Sequence, residues 1–243
     1  MVIYGINPVF EAVRAGRVRR IRVGPRADKR VEEVLAAARS HGVAIDRTDA
    51  HALDRAARGG VHQGIVAELE PPGDYSIRDL VAGASPHPPL IVVLDGVEDP
   101  HNLGAVIRTV DAAGAHGIVR QERRAAALDG IAAKASAGAL AYVRIVTVVN
   151  IARALEELKE AGVWTVGFAG DASDSYDDVD FTLPTALVAG AEGEGLRRLT
   201  RERCDRLVRI PMYGAVSSLN VSVAVGVALF EAARQRRITS SKI

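Results

Sequence analysis

The chain has 243 residues, 48% of them hydrophobic and 25% charged, enough apolar content for a packed core and too much for a disordered chain. Its 31 basic and 30 acidic residues leave a formal net charge of +1, which names no polyanionic partner, and its one cysteine, Cys204, excludes an internal disulfide framework or a zinc cage built on paired cysteines. No apolar run reaches the roughly 18 residues of a membrane span, and Met1–Gly16 lacks a basic start followed by a long apolar stretch, so a soluble cytoplasmic protein is expected.

In chain order, Asn7 is placed to cap a helix with Pro8 at its first position and Gly16 just past its end. Apolar runs at Ile21–Val23, Val43–Ile45 and Ile65–Leu69 predict strands, with helices at Arg30–Arg39 and Asp49–Arg58 between them, giving a small α/β module over residues 1–70. Between Arg14 and Arg30 this module gathers eight basic residues (Arg14, Arg17, Arg19, Arg20, Arg22, Arg26, Lys29 and Arg30) against one acid, Asp28. Only four of the chain's 31 basic residues are lysines; compositional bias accounts for that excess of arginine but not for the clustering. Pro71, Pro72, Gly73, Pro86, Pro88 and Pro89 then mark residues 71–89 as a linker that stops regular structure.

Beyond the linker, residues 90–243 alternate again. Strand-length apolar runs fall at Leu90–Leu94, Gly117–Val119, Tyr142–Val149, Val163–Phe168, Ala186–Ala189 and Leu207–Ile210. Helical segments lie near Leu103–Ala113, Gly130–Ala137, Ile151–Ala161, Gly195–Arg203 and Ser218–Arg234. Strands without polar alternation, spaced by helices, predict a mostly parallel sheet covered on both faces. Trp164 is expected in the core, Cys204 as an unreactive residue at a helix end, and Ile238–Ile243 as a loose tail. The six histidines show no pair at metal-ligand spacing on one element, so no metal site is expected.

Three polar or glycine-rich segments follow apolar strands, where open α/β sheets place their ligands. In Leu94–Arg108, Asn102 is placed to cap the next helix and Arg108 lies further along it; a capped helix with a surface arginine explains these residues equally well. Val188–Gly195 has the glycine order G-x-x-G-x-G, not the G-x-G-x-x-G of a dinucleotide loop, and its acids Glu192 and Glu194 would repel a pyrophosphate. A cationic ligand suits it better, the alternative being a flexible loop with solvated carboxylates. In Val208–Ser222, Pro211 and Gly214 precede a long apolar helix that Ser217 or Ser218 can cap, with Asn220 in its first turn.

Together these segments resemble the three signature motifs of the SpoU (TrmH-type, SPOUT) RNA ribose 2′-O-methyltransferases over nearly all of Leu90–Arg234, most specifically in Asp99–Ala105 and Ser217–Ser222. Lys134–Ala139, Tyr4–Val9 and His62–Gly64 resemble the ribosomal-RNA branch. The resemblance implies an S-adenosylmethionine enzyme with a trefoil-knotted α/β catalytic domain that works as a homodimer, preceded by a small RNA-binding domain. It implies cofactor contacts at Gly190, Ile210, Met212 and Leu219, and a polar catalytic set of Asn102, Arg108, Glu192, Ser218 and Asn220. The substrate expected is ribosomal RNA, at a guanosine of the large subunit, with RNA contacts from Arg14, Arg17, Arg19, Arg20, Arg123 and Arg124, the alternative for the basic cluster of the front module being a solvated face. Gln121–Ala127 departs from the more polar, basic stretch of relatives, which bears on those last two arginines.

The family assigns hydroxyl activation to Arg108. A guanidinium, protonated throughout the physiological range, is a poor base, so its expected role is to stabilise the incipient alkoxide and clamp the neighbouring phosphate. Glu192 is left to orient Arg108 or Asn102, or to take the proton through water. The rival readings are a transfer-RNA 2′-O-methyltransferase, a non-catalytic RNA-binding module of ribosome assembly and, more remotely, a dinucleotide oxidoreductase.

Overall fold

The computed structural model describes residues 1–26, 28–70 and 73–240, with side chains as far as Ile238. The chain divides into two compact units: Met1–Pro72 with Pro100–Arg108 and Ala126–Tyr142, and Gly73–Asp99 with Thr109–Ala125 and Val143–Ile243.

The N-terminal part of the first unit runs β1 (Val2–Tyr4), α1 (Ile6–Arg14), β2 (Val18–Val23), α2 (Lys29–Ser40), β3 (Ala44–Arg47), α3 (Ala50–Ala57) and β4 (Ile65–Leu69). The strands form a sheet in the order β1-β4-β2-β3, antiparallel except between β2 and β3. Asp28 and Asp49 cap α2 and α3, their Oδ1 atoms accepting the backbone N–H of Val31 at 2.9 Å and of Ala52 at 2.7 Å. Val9, Val13, Ile21, Leu35 and Ile65 are fully buried, and Ala133 and Ala141 join the same core.

Helix α1 starts earlier than the sequence predicts. Asn7 lies inside it, with Arg30 donating to its Oδ1 at 3.1 Å, and so does not cap it. The N-terminus is satisfied from 57 residues away, where Gln63 Oε1 accepts the Ile6 N–H at 3.1 Å. Two motifs, Tyr4–Val9 and His62–Gly64, thus meet in one helix cap. Gly16, with φ 65°, follows the helix end as expected.

The rest of the chain runs α4 (Ile77–Ala82), β5 (Leu90–Asp95), α5 (Pro100–Ala112), β6 (Gly117–Gln121), α6 (Gly130–Ala135), β7 (Ile145–Val148), α7 (Ile151–Glu160), β8 (Trp164–Phe168), β9 (Asp174–Ser175), β10 (Thr185–Gly190), α8 (Arg198–Arg203), β11 (Arg206–Arg209) and α9 (Val221–Ser240). The second unit's sheet has the order β7-β6-β5-β10-β8-β11-β9 and is parallel at every pairing, as the unalternating strands require. All six residues of β5 are buried. The late strand β10 lies between β5 and β8, so the strand order reverses beside it.

Several expectations are corrected. Regular structure does not stop across residues 71–89: α4 forms between the prolines, because 73–85 contains none and Ser76 and Asp79 make a capping box while Ile77 and Leu80 bury themselves. Pro71 and Pro72 lie outside the described residues. The run Tyr142–Val149 yields only a four-residue strand, β7, since Tyr142 ends a short 3-10 turn. Gly195–Arg203 is helical only from Arg198. Trp164 is 58% exposed although it stands between buried Val163 and Thr165: it opens β8 with its side chain on the uncovered side. The tail is helical as far as Ser240, and 241–243 lie outside the described residues.

Candidate active site

Strand β10 ends on Gly190, and the chain then folds straight back. Ala191 and Gly195 exchange backbone hydrogen bonds of 3.1 and 2.9 Å, with Gly193 at φ 81° and Gly195 at φ 70°. A side chain on Gly190 would meet the Gly195 carbonyl carbon at 2.1 Å, so this close return requires glycine. The glycines of Val188–Gly195 therefore shape a tight loop, and Glu192 and Glu194 stand exposed on it.

Two further strand ends complete the wall. After β8, Phe168–Asp171 turn along the cavity, where Arg201 of α8 grips Asp171 with two hydrogen bonds of 2.8 and 2.9 Å. Those bonds from the Arg201 guanidinium hold the Asp171 carboxyl below the usual carboxylate range. After β11, Ile210 and Met212 lead into Ser217–Asn220. Asn220 is not in the first turn of α9 but immediately before it. Its Oδ1 accepts the Ser222 N–H at 2.9 Å and the Ser222 hydroxyl at 2.6 Å, so Asn220 caps the helix and Ser217 and Ser218 do not.

The cavity between these segments has a volume of about 680 Å³ and sits at the carboxyl ends of β8, β10 and β11. Gly190, Glu192, Ile210, Met212, Ser218, Leu219 and Asn220 all line it. Phe168–Asp171, Arg201 and Arg209 line it too and were missed by sequence reasoning; the only signal was their position after, or packed near, the end of a strand. The second unit also contains an unforeseen buried carboxylate, Asp95, at the end of β5.

Asn102 and Arg108 belong to the first unit. Helix α5 begins at Pro100, so Asn102 is its third residue and buried, not its cap; proline occupies the first position, where no N–H is needed. Arg108 is exposed on the same helix. Of the proposed RNA contacts in the first unit, Arg14 pairs with Glu11 at 3.6 Å and Arg20 with Asp46 at 3.5 Å, Arg17 is half-buried, and Arg19 is exposed. Arg123 and Arg124 are exposed after β6, Arg124 with φ 51°. Among the described residues no cluster of three or more metal-ligating side chains occurs, and no helix is long and apolar enough to cross a membrane.

An all-parallel sheet with a cavity at its carboxyl edge, walled by an acidic glycine loop, defines an open-sheet α/β protein built to hold a ligand there. The chain belongs to the SpoU rRNA Methylase family, which it matches over residues 89–230, while residues 2–75 match the family described as RNA 2'-O ribose methyltransferase substrate binding. It is 46% identical over 239 residues to the 23S rRNA (guanosine-2'-O-)-methyltransferase RlmB of Photorhabdus laumondii, covering 97% of this chain and 98% of that protein. Among solved structures it is similar to the SpoU methyltransferase AviRb of Streptomyces viridochromogenes in complex with AdoMet, with TM-score 0.82, 30% identity and coverage of 98% of this chain and 91% of that one. A TrmH/SpoU tRNA modifying enzyme of A. aeolicus has TM-score 0.57 and 36% identity and covers only 62% of this chain, against 77% of its own.

Proposed function

We propose that this protein transfers a methyl group from S-adenosylmethionine to the ribose 2′-hydroxyl of a guanosine in 23S ribosomal RNA. The observation that carries the reading is the cavity walled by Gly190–Gly195, Ile210–Met212 and Ser217–Asn220. At about 680 Å³ it falls within the roughly 300–1,000 Å³ typical of sites for small organic ligands. Its lining fits the cofactor: Phe168, Ile210, Met212 and Leu219 offer apolar wall, and Asp171, Glu192 and Glu194 offer carboxylates to a ligand with ammonium and sulfonium charges. Similarity to 23S rRNA guanosine methyltransferases over almost the whole chain supports the RNA and the base, and the transfer-RNA relative leaves over a third of the chain uncovered.

When bound, S-adenosylmethionine supplies an electrophilic methyl group. Gly190, Ile210, Met212 and Leu219 would hold it, chiefly through backbone groups. Arg108 carries the permanent charge of a guanidinium and so stabilises a developing ribose alkoxide and fixes the adjacent phosphate without accepting the proton. Asn102, Glu192, Ser218 and Asn220 are the remaining polar members of the proposed catalytic set. Residues 1–70 serve as the RNA-binding domain through Arg14, Arg17, Arg19 and Arg20, residues 71–89 connect it, and residues 90–243 form the catalytic domain, knotted as in the family, with Arg123 and Arg124 as further RNA contacts. The protein acts in the cytoplasm as a homodimer, a reading supported by Val223 and Phe230, which stand 50% and 53% exposed on α9.

The test is transfer of labelled methyl to unmodified ribosomal and transfer RNAs, with ribose-methylation mapping of the product. Label at one guanosine ribose of 23S rRNA is expected. Label in transfer RNA alone would overturn the substrate, and cofactor binding without label on naked or assembling ribosomal RNA would favour a non-catalytic assembly protein.

A further inference from the structure

We infer that Asp95 and Arg197 form a clasp that sets the shape of the cofactor loop, making both positioning residues for cofactor binding; this rests on the proposed use of S-adenosylmethionine. Asp95 ends β5 directly opposite Gly190 of β10 and is 1% exposed. Its Oδ2 accepts the backbone N–H of Arg197 at 3.0 Å, just beyond the loop Gly190–Leu196. Among the described residues its Oδ1 has no hydrogen-bond partner, yet it lies 3.4 Å from Arg197 Nη1. That same Nη1 donates to Gln121 Oε1 at 2.7 Å, at the end of β6. One arginine therefore ties the far side of the loop, through backbone and guanidinium, to the ends of two neighbouring strands.

The surroundings are cut to fit this arm. A Cβ on Gly96 would lie 3.0 Å from Arg197 Nη2 and 3.6 Å from the Ala191 side chain, and Gly96 has φ 81°, so glycine leaves room for the guanidinium. Burying a carboxylate with one oxygen lacking a hydrogen bond is costly, and the nearby guanidinium charge is what offsets it. The near end of the loop is already fixed, because Gly190 belongs to β10. Without the clasp the returning half, and with it Glu192 and the cavity wall, would be held by the internal Ala191–Gly195 bonds and the packing of Leu196 against the core, with nothing tying it to the ends of β5 and β6.

The experiment separates the two links. In Asp95→Asn the amide oxygen still accepts the Arg197 N–H, but an NH₂ group now faces the guanidinium; Arg197→Ala removes the guanidinium and keeps the backbone bond. Each single variant is expected to raise the KM and Kd for S-adenosylmethionine about tenfold, with kcat changed less than about threefold. The double variant should be no worse than either single one, since both break the same link. Arg197→Lys, retaining charge near Asp95 but not the reach to Gln121, should recover part of the affinity. A purely architectural role would instead lower the melting temperature and the active fraction while leaving KM unchanged, and additive effects in the double variant would also overturn the clasp. If the wild-type protein binds no S-adenosylmethionine, the functional reading itself fails, a separate outcome from unchanged affinity in the variants.

Discussion

Gly190→Ala is the substitution whose cost follows most directly from the structure. The added Cβ would lie 2.1 Å from the Gly195 carbonyl carbon, 2.2 Å from its oxygen and 2.3 Å from the Leu196 nitrogen. All three are backbone atoms, so no side-chain rotation relieves the clash. The returning half of the loop must retreat by about 1.3 Å to reach 3.4 Å, where ordinary contact begins. That movement breaks the Ala191–Gly195 pair of hydrogen bonds, 3.1 and 2.9 Å long. At a net of about 1 kcal/mol each the loss is about 2 kcal/mol if the loop opens freely, rising toward about 5 kcal/mol if it resists and overpacking is added. For a chain of this size that lowers the melting temperature by at least about 4 °C. Calorimetry should show this shift, and titration should show S-adenosylmethionine affinity reduced at least about tenfold as the wall around Glu192 opens. Gly193→Ala is the control: among the described residues a Cβ there meets nothing within 4 Å, leaving only the strain of φ 81°, about 1 kcal/mol. A Gly190→Ala protein that melts and binds like wild type, or a Gly193→Ala protein damaged as severely, would refute the reasoning.

Arg108→Ala should abolish methyl transfer, by more than about a hundredfold in kcat, while S-adenosylmethionine binding stays within about twofold; parallel loss of both would contradict an electrostatic role at the hydroxyl. Arg19 is exposed and makes no ion pair among the described residues, whereas Arg20 and Arg22 are paired with Asp46 and Glu68, so Arg19→Ala should weaken RNA binding more than Arg20→Ala and lower the salt slope by about one ion, as filter binding across salt concentrations would show. Burial pushes the Cys204 thiol from 9.0 up to about 12, so native protein should resist iodoacetamide at pH 8 while unfolded protein reacts fully; rapid stoichiometric labelling of the native state would refute this. Because the folded protein disfavours the thiolate, Cys204 should also cost stability as the pH rises above about 9, an effect absent at neutral pH and visible as a smaller alkaline loss in Cys204→Ala.

Elements governed by local chemistry were legible in the sequence. Ile65–Leu69 forms β4 residue for residue, and the helix expected over Asp49–Arg58 forms as Ala50–Ala57, its ends within a residue. The second and third glycine-rich segments meet at one cavity because both leave the same edge of a parallel sheet. What escaped depended on partners distant in sequence. Gln63 displaces Asn7 as the feature that ends the needs of α1, and Asp95 reaches Arg197 across 102 positions. Proline density hid α4, because a count over residues 71–89 averages away a proline-free centre with its own capping box. Trp164 escapes because an unbroken apolar run shows that a strand is buried but not which of its residues faces out, here the one between buried Val163 and Thr165. The two-residue β9 has no apolar signature; its place comes from pairing with β11.

The position of β10 bears on how the chain is made. Its residues pair with β5, synthesised 95 positions earlier, so Leu90 must wait for Thr185 and Asp95 for Gly190. Until then β5 has β6 on one side and a bare edge of Leu-Ile-Val-Val-Leu-Asp on the other, the kind of apolar edge that invites pairing with another chain. A nascent chain halted before residue 185 should therefore be aggregation-prone, and folding of the second unit should be slow for its size because its central strand closes the longest loop. The strand whose end forms the acidic loop is also the one that covers the bare edge of β5, so the Gly190–Gly195 side of the cavity wall takes its place in the same event that protects that edge, and the β11 side follows.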